Sequence, residues 1–344
     1  MGTVAAMETA RTGTDWFPMD DASSVGAYRR AAQQLASRLG FADGRGGEVA
    51  IVASEIAGNM HVHGRSGVAG LQIALRGGEP GVQLLAVDRG PGMADVLASA
   101  RDGQTTSGTL GVGLGAVARL SDRMDVSSQP GYGTVLAARL WRTRGSSGSG
   151  AAVDVDGVTR PIEPGDACGD FVAARETAGR HVLLASDGLG HGPLAAAASQ
   201  EALRIFLSSD SVEPASILAA IHQGISHTRG AAVAIASVDR DFGHVQLAGI
   251  GNISAFVCGP ERRQAMISFP GIVGHNARAI RQLDYEVPAG SAIVLHSDGL
   301  RESWSLQEPP GLARRSAVVI AAALLRDHGS RRDDASVLVA RRAA

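Results

Sequence analysis

A run of glycine and serine, Gly145-Ser-Ser-Gly-Ser-Gly150, divides the chain into two stretches of different texture. Such a run has no apolar periodicity and behaves as a flexible connector, so the residues on either side must build separate cores. At 344 residues the chain is long enough for two domains of ordinary size. The sequence places a first domain over residues 12–142, a linker over 143–152 and a second domain over 153–342.

In the first stretch apolar residues recur at helical spacing over Val25–Leu39 and Glu48–His61. Leu71–Leu75 and Val82–Val87 read as strands, a helix is expected near Leu114–Leu120, and Gly133–Leu140 reads as a closing strand. The expected fold is α/β (α+β), with helices segregated from a strand cluster. The second stretch is richer in strands: Phe171–Ala174, His181–Ser186, Ala231–Val238, Val245–Gly249, Ser254–Val257, Ala292–Ser297 and Ala335–Ala340. Helical periodicity marks Pro193–Leu207, Pro214–His227 and Arg315–Arg326, so two sheets with helices outside them are expected there.

Composition excludes several classes. With 44% hydrophobic and 19% charged residues the chain is not mainly disordered. A net charge of −2 without long runs of one sign gives no footprint for nucleic acid or an anionic membrane surface. No apolar run is long enough to span a bilayer and no signal-like start is present, so a cytoplasmic protein is expected. Cys168 and Cys258 match no metal-ligand spacing and are expected to be buried thiols in a reducing compartment. Every cationic side chain other than histidine is arginine, which excludes a phosphate loop built on lysine.

Three elements of the first stretch carry chemistry. In Ser54-Glu-Ile-Ala-Gly-Asn59, Glu55 and Asn59 are four residues apart and share a helix face. An asparagine oxygen can hold the Mg²⁺ that bridges ATP phosphates, and a nearby carboxylate can orient or deprotonate an incoming hydroxyl. In Val87-Asp-Arg-Gly-Pro-Gly-Met93, Asp88 can accept a hydrogen bond from an adenine amino group, and Gly90 and Gly92 permit close backbone approach. Ser107-Gly-Thr-Leu-Gly-Val-Gly-Leu-Gly115 can wrap phosphates with backbone N–H groups.

In this order, closed by Gly131-Tyr-Gly-Thr-Val135, the elements resemble the histidine-kinase-like ATPase fold, and in particular the RsbT-type switch kinases of the anti-sigma kinase family. The resemblance implies ATP and Mg²⁺ as cofactors. It implies that Asn59 holds Mg²⁺, Glu55 is the catalytic base or orienter, and Asp88 reads adenine with support from Thr134. Gly90 and Gly92 would line the pocket, and Gly111, Gly113 and Gly115 would form the phosphate lid. No phospho-accepting histidine box precedes the module, which points to serine or threonine transfer; His61 and His63 are left as structural.

In the second stretch aspartates stand at strand ends or turns: Cys168-Gly-Asp170, Ser186-Asp-Gly-Leu-Gly-His-Gly192, Ser297-Asp-Gly-Leu300 and Arg332-Asp-Asp334. Aspartates leaving neighbouring strands can bind a pair of hard cations, which clamp a phosphate ester and generate hydroxide. With Arg229-Gly-Ala-Ala-Val-Ala and Gly249-Ile-Gly-Asn-Ile-Ser254 between them, these segments resemble the RsbX/SpoIIE-type metal-dependent phosphatases, whose fold is an αββα sandwich. The resemblance implies two Mn²⁺ or Mg²⁺ ions, with Asp170 and Asp187 bridging, the Gly188 carbonyl contributing, and Asp298 and Asp333 completing the shell. Asp334 is the alternative to Asp333, and the first of the tandem pair is favoured. His191 is read as part of a turn.

Together the two resemblances imply one bifunctional chain that phosphorylates and dephosphorylates STAS-domain antagonist proteins in a bacterial stress or sigma-factor partner-switching circuit, such as a stressosome-like complex. The alternative is a phosphatase whose front module binds ATP or docks a STAS partner without kinase turnover.

Overall fold

The computed structural model describes residues 13–76, 79–96, 113–145, 153–277 and 279–343. The chain forms two compact units, one built on Thr14–Ser149 and one on Gly150–Leu306 with Ser316–Ala344. Most of the expected linker, residues 146–152, lies outside the described residues.

In the first unit, strands β1 (Asp15–Pro18), β2 (Val68–Arg76), β3 (Glu79–Asp88), β4 (Arg123–Gln129) and β5 (Gly133–Trp141) form an antiparallel sheet in the order β1-β2-β3-β5-β4. Helices α1 (Ala22–Arg38) and α2 (Asp43–His63) cover one face of it. Helix α1 starts where the Asp21 carboxylate accepts the N–H groups of Ser23 and Ser24, which satisfies donors that have no partner inside the helix. Tyr28, Leu35, Val49, Val52 and Ile56 pack against Leu71, Leu84, Leu136 and Leu140 to form the core. The buried Tyr28 hydroxyl donates to the Gly70 carbonyl at 2.8 Å, so its burial leaves no orphaned donor.

Helix α2 begins five residues before the expected Glu48, and the added turn carries Arg45. This buried guanidinium donates to the Trp141 carbonyl at 2.9 Å and pairs with Glu48 and Asp122. A buried charge is tolerated when its donors are all met, and here it ties the start of α2 to β5. That anchor fixes the helix on which Glu55 and Asn59 ride.

The second unit contains β6 (Val153–Arg160), β7 (Asp170–Thr177), β8 (Arg180–Gly188), β9 (Ala231–Val238), β10 (His244–Ile250), β11 (Ser254–Cys258), β12 (Arg263–Met266), β13 (Leu283–Glu286), β14 (Ala292–His296) and β15 (Ala335–Arg342). They pair antiparallel in two sheets, β13-β10-β9-β8-β7 and β12-β11-β14-β15-β6. Val172, Leu183, Leu247, Ile293, Leu295 and Leu338 fill the space between the sheets. With helix α3 (Gly113–Leu120) completing the first unit, the helices of the second are α4 (Pro193–Ser208), α5 (Pro214–Gly224) and α6 (Ala317–His328). Helices α4 and α5 bury Phe206, Ile217 and Ile221 on the outer face of β7–β10, and α6 packs on β15 and β6. The second unit is the expected αββα sandwich, and the first is an α/β ATPase-type unit.

Candidate active sites

Glu55 is half-buried and Asn59 exposed, one turn apart on α2. Gly113 opens α3 directly against them: a methyl group there would lie 2.9 Å from Glu55 Oε2 and 3.2 Å from Asn59 Nδ2. The backbone at the N-terminus of α3 is therefore brought to the pair, the kind of end that receives phosphate. Gly115 is buried inside α3, and Gly111 lies outside the described residues.

Asp88 ends β3, half-buried, and its Oδ1 accepts the Gly90 N–H at 2.6 Å. One carboxylate oxygen thus shapes the turn that follows. Gly92 has φ +72°, and a methyl on it would fall 1.9 Å from the Gln129 carbonyl oxygen, so only glycine fits. The β3–β5 register sets Asp88 opposite Thr134. Thr134 Oγ1 lies 2.9 Å from Ser128 Oγ, which also accepts the Met93 N–H at 2.9 Å. Ser128 therefore braces both Thr134 and the Asp88 loop, a role with no sequence signal because it sits on a polar edge strand. His61 and His63 are exposed in the last turn of α2.

In the second unit, Asp170 opens β7 and Asp187 lies near the end of β8, directly opposite each other in the antiparallel ladder. Asp170 is 1% exposed, and its Oδ2 has no hydrogen-bond partner. Burial pushes the Asp170 carboxyl up to about 7, against the pull of the Ser297 hydroxyl beside it. Burial, and then the Asp170 charge, push Asp187 up to about 9. Two facing carboxylates in a dry place repel unless a proton or a cation separates them. An all-oxygen donor set with an orphaned buried oxygen fits a hard divalent cation.

The remaining acids are placed differently. Asp298, exposed just beyond β14, accepts from Asn252 Nδ2 at 2.7 Å. Asp333 is half-buried and its Oδ1 accepts the Asp334 N–H at 2.9 Å. Asp334 is buried, and both its oxygens are used, by the N–H of Ile162 at 2.9 Å and of Gly169 at 2.6 Å. Among the described residues no three acidic, imidazole or thiol side chains stand close enough to share one ion. Asp298, Asp333 and Asp334 nonetheless add to the field that raises Asp187. Gly188 donates its N–H to Gly169 at 3.1 Å, and a methyl on it would fall 2.1 Å from the Ala195 carbonyl oxygen.

Asn252 and Ser297 were present in the motifs but carried no assigned role. A short polar residue next to an aspartate reads as a turn until the partner strand is known. Behind Asp298, the buried His296 accepts the Trp304 indole N–H at Nε2 at 3.2 Å, while its Nδ1 lies 2.8 Å from the Ser297 carbonyl. This arrangement places the imidazole proton on Nδ1 and leaves a neutral ring. His191 is exposed in the loop after β8. Cys258 is buried as expected and Cys168 is half-buried; burial pushes both thiols up, which disfavours a thiolate nucleophile.

Comparison with known proteins finds two families along the chain. Residues 17–140 match the histidine kinase-like ATPase domain family, and residues 177–343 match the Stage II sporulation protein E (SpoIIE) family. The serine/threonine-protein kinase RsbT of Bacillus subtilis (strain 168) is 32% identical over 131 residues, which are 38% of this chain and 93% of RsbT. A solved structure from work on the bacterial stressosome as a modular system is 32% identical, covers 55% of this chain and 99% of its own, and has a TM-score of 0.48. A structure of RsbX in complex with magnesium is 19% identical, covers 56% of this chain and 96% of its own, and has a TM-score of 0.48. The chain therefore belongs to the RsbT serine/threonine-protein kinase family through its first unit and joins to it a SpoIIE-type serine/threonine phosphatase unit.

Proposed function

We propose that this protein adds phosphate to, and removes it from, serine or threonine of STAS-domain antagonist proteins, acting as a bifunctional regulator in a bacterial stress or sigma-factor circuit. The observation that carries the kinase half is the approach of Gly113 to Glu55 and Asn59, which puts a helix N-terminus beside a base and a neutral oxygen ligand. In this reading Asn59 holds Mg²⁺, Glu55 orients the attacking hydroxyl, and Gly111, Gly113 and Gly115 line the phosphates. Asp88 recognises adenine through its carboxylate, with Thr134 beside it, and Gly90 and Gly92 let the backbone approach. ATP supplies the phosphoryl group, and the chain's own work is to hold and align it.

In the phosphatase half, Asp170 and Asp187 hold two Mn²⁺ or Mg²⁺ ions with the Gly188 carbonyl, Asp298 and Asp333. Bound ions of this kind supply a hydroxide at neutral pH and neutralise phosphate charge. Asp333 is favoured over Asp334 because the latter's oxygens are already occupied by backbone donors. Placing both activities in one chain raises their effective concentration around a shared substrate. The protein would work in the cytoplasm, where such circuits and reduced thiols belong.

The test is incubation of the purified chain with labelled ATP and STAS-domain proteins, with and without Mn²⁺. Label on a serine or threonine of a STAS protein supports the reading. Metal-dependent removal of phosphate from a pre-phosphorylated STAS protein, with no labelling under any condition, supports the alternative of a phosphatase with an ATP-binding docking module.

A further inference from the structure

Strand β8 ends with Asp187 and Gly188, and the loop to α4 runs Leu189-Gly-His-Gly192. It is held in place by the Leu189 N–H, which donates to the Gly230 carbonyl at 3.0 Å, and by positive φ at Gly190 and Gly192. Its large apolar side chains do not turn inward: Leu189 is 38% exposed, and Leu194, one residue into the first turn of α4, is 57% exposed. Apolar groups fixed in water at the mouth of a site mark a surface that something covers.

Arg229 stands next to this loop. A methyl at Gly190 would lie 3.3 Å from Arg229 Nη1, so the guanidinium rests against a position where a side chain would displace it. It is exposed and, among the described residues, makes no hydrogen bond or ion pair, and the strand it leads into begins opposite Gly188 and Asp187. A guanidinium exposed beside the loop that follows Asp187, with no partner among the described residues, keeps its charge and its donors for an incoming anion. A phosphate monoester dianion is the anion that the adjoining phosphatase site acts on.

We propose that Arg229, Leu189 and Leu194 form the docking rim for a phosphorylated protein segment, with Arg229 receiving the phosphate and the two leucines receiving apolar residues that flank the phosphoserine or phosphothreonine. The proposal rests on the assignment of the phosphatase site to Asp170 and Asp187. A small phosphate ester uses only the arginine part of the rim, whereas a protein segment uses all of it. The occupant is a protein because two leucines about one loop apart contribute nothing to the recognition of free phosphate.

The experiment compares two phosphoserine peptides of equal length, one with apolar and one with Gly/Ser flanks, together with p-nitrophenyl phosphate, all at saturating Mn²⁺. The wild type should favour the apolar-flanked peptide by roughly tenfold in kcat/KM, as expected for partial burial of two leucines. Leu194→Asp should bring that ratio to about one through KM, and Leu194→Met should restore it. Arg229→Ala should raise KM for every ester by roughly tenfold, with Arg229→Lys intermediate, while the Mn²⁺ midpoint stays in place. Both side chains are exposed, so the melting temperatures should match the wild type. A flank preference that survives Leu194→Asp, the absence of any preference in the wild type, or an Arg229→Ala variant with unchanged KM overturns the rim and leaves the phosphatase site standing. Failure of the wild type to hydrolyse any ester overturns both.

Discussion

Asp170 and Asp187 face each other across the β7–β8 ladder with one oxygen of Asp170 buried and unpartnered. The protein thus holds two acidic groups together where water is scarce. The cost appears as carboxyls raised to about 7 and about 9, and the need for a counter-charge follows from it.

A pH dependence of the metal-free protein follows. Both folded values lie above the ordinary carboxylate value of about 4, so the stability contributed by the neutral carboxyls is complete below that pH and is lost as pH rises through 7 and then 9. In EDTA the melting temperature of the phosphatase unit should fall between pH 6 and pH 9. Mn²⁺ should reverse the loss, and Asp187→Asn should flatten it. Calorimetric scans across that range check this, and a flat profile for the metal-free wild type contradicts it.

The tandem acids should separate cleanly. Asp334→Ala strands the N–H groups of Ile162 and Gly169, at about 1–3 kcal/mol each, so it should lower the stability of the unit markedly. Asp333→Ala should cost little stability yet weaken the response to Mn²⁺. Urea melts and metal titrations of the two variants check the pair of outcomes; the reverse pattern would assign the metal to Asp334.

His296 predicts a loss of stability on the acid side. Burial lowers its folded value, so its contribution is present above the unfolded histidine value of about 6.5 and is lost as pH falls below it. Protonation would also oppose the Trp304 N–H donated to Nε2. Between pH 6.5 and pH 5 the wild type should lose more stability than His296→Gln. Trp304→Phe should cost about 1 kcal/mol at pH 7.5 by removing that donor. Parallel pH profiles for wild type and His296→Gln would remove this account.

In the ATPase unit, Asp88→Asn can keep the bond to the Gly90 N–H while turning the other oxygen into an amide donor. ATP affinity should fall by at least roughly tenfold, with a melting temperature within a few degrees of wild type. Titration calorimetry with Mg-ATP measures it, and unchanged affinity would take the adenine contact away from Asp88.

The limits of the sequence reading have a common physical origin. Strands β1, β4, β6, β12 and β13, which periodicity did not mark, are all edge strands. An edge strand is paired on one side only and needs fewer apolar residues, so sequences such as Arg123–Gln129 and Val153–Arg160 carry little alternation. Central strands such as Ala231–Val238, buried at every position, were plain. At the candidate sites, motif order picked out the acids and glycines; Gly92 needs its positive φ, and Gly92 and Gly188 leave room for a carbonyl oxygen. The residues that hold them, Ser128, Asn252 and Ser297, depend on which strand lies alongside, and that pairing is set by the fold rather than by local spacing.

The central claim is that one chain carries both directions of the same phosphate transfer. It is tested most directly by following label from ATP on a STAS-domain protein over time with wild type, Asn59→Ala and Asp187→Asn, each in Mg²⁺ and Mn²⁺. The account predicts a transient label with wild type, a label that accumulates and persists with Asp187→Asn, and none with Asn59→Ala, which should still strip a pre-phosphorylated STAS protein. Absence of label with Asp187→Asn, or loss of both activities in either single variant, would contradict it.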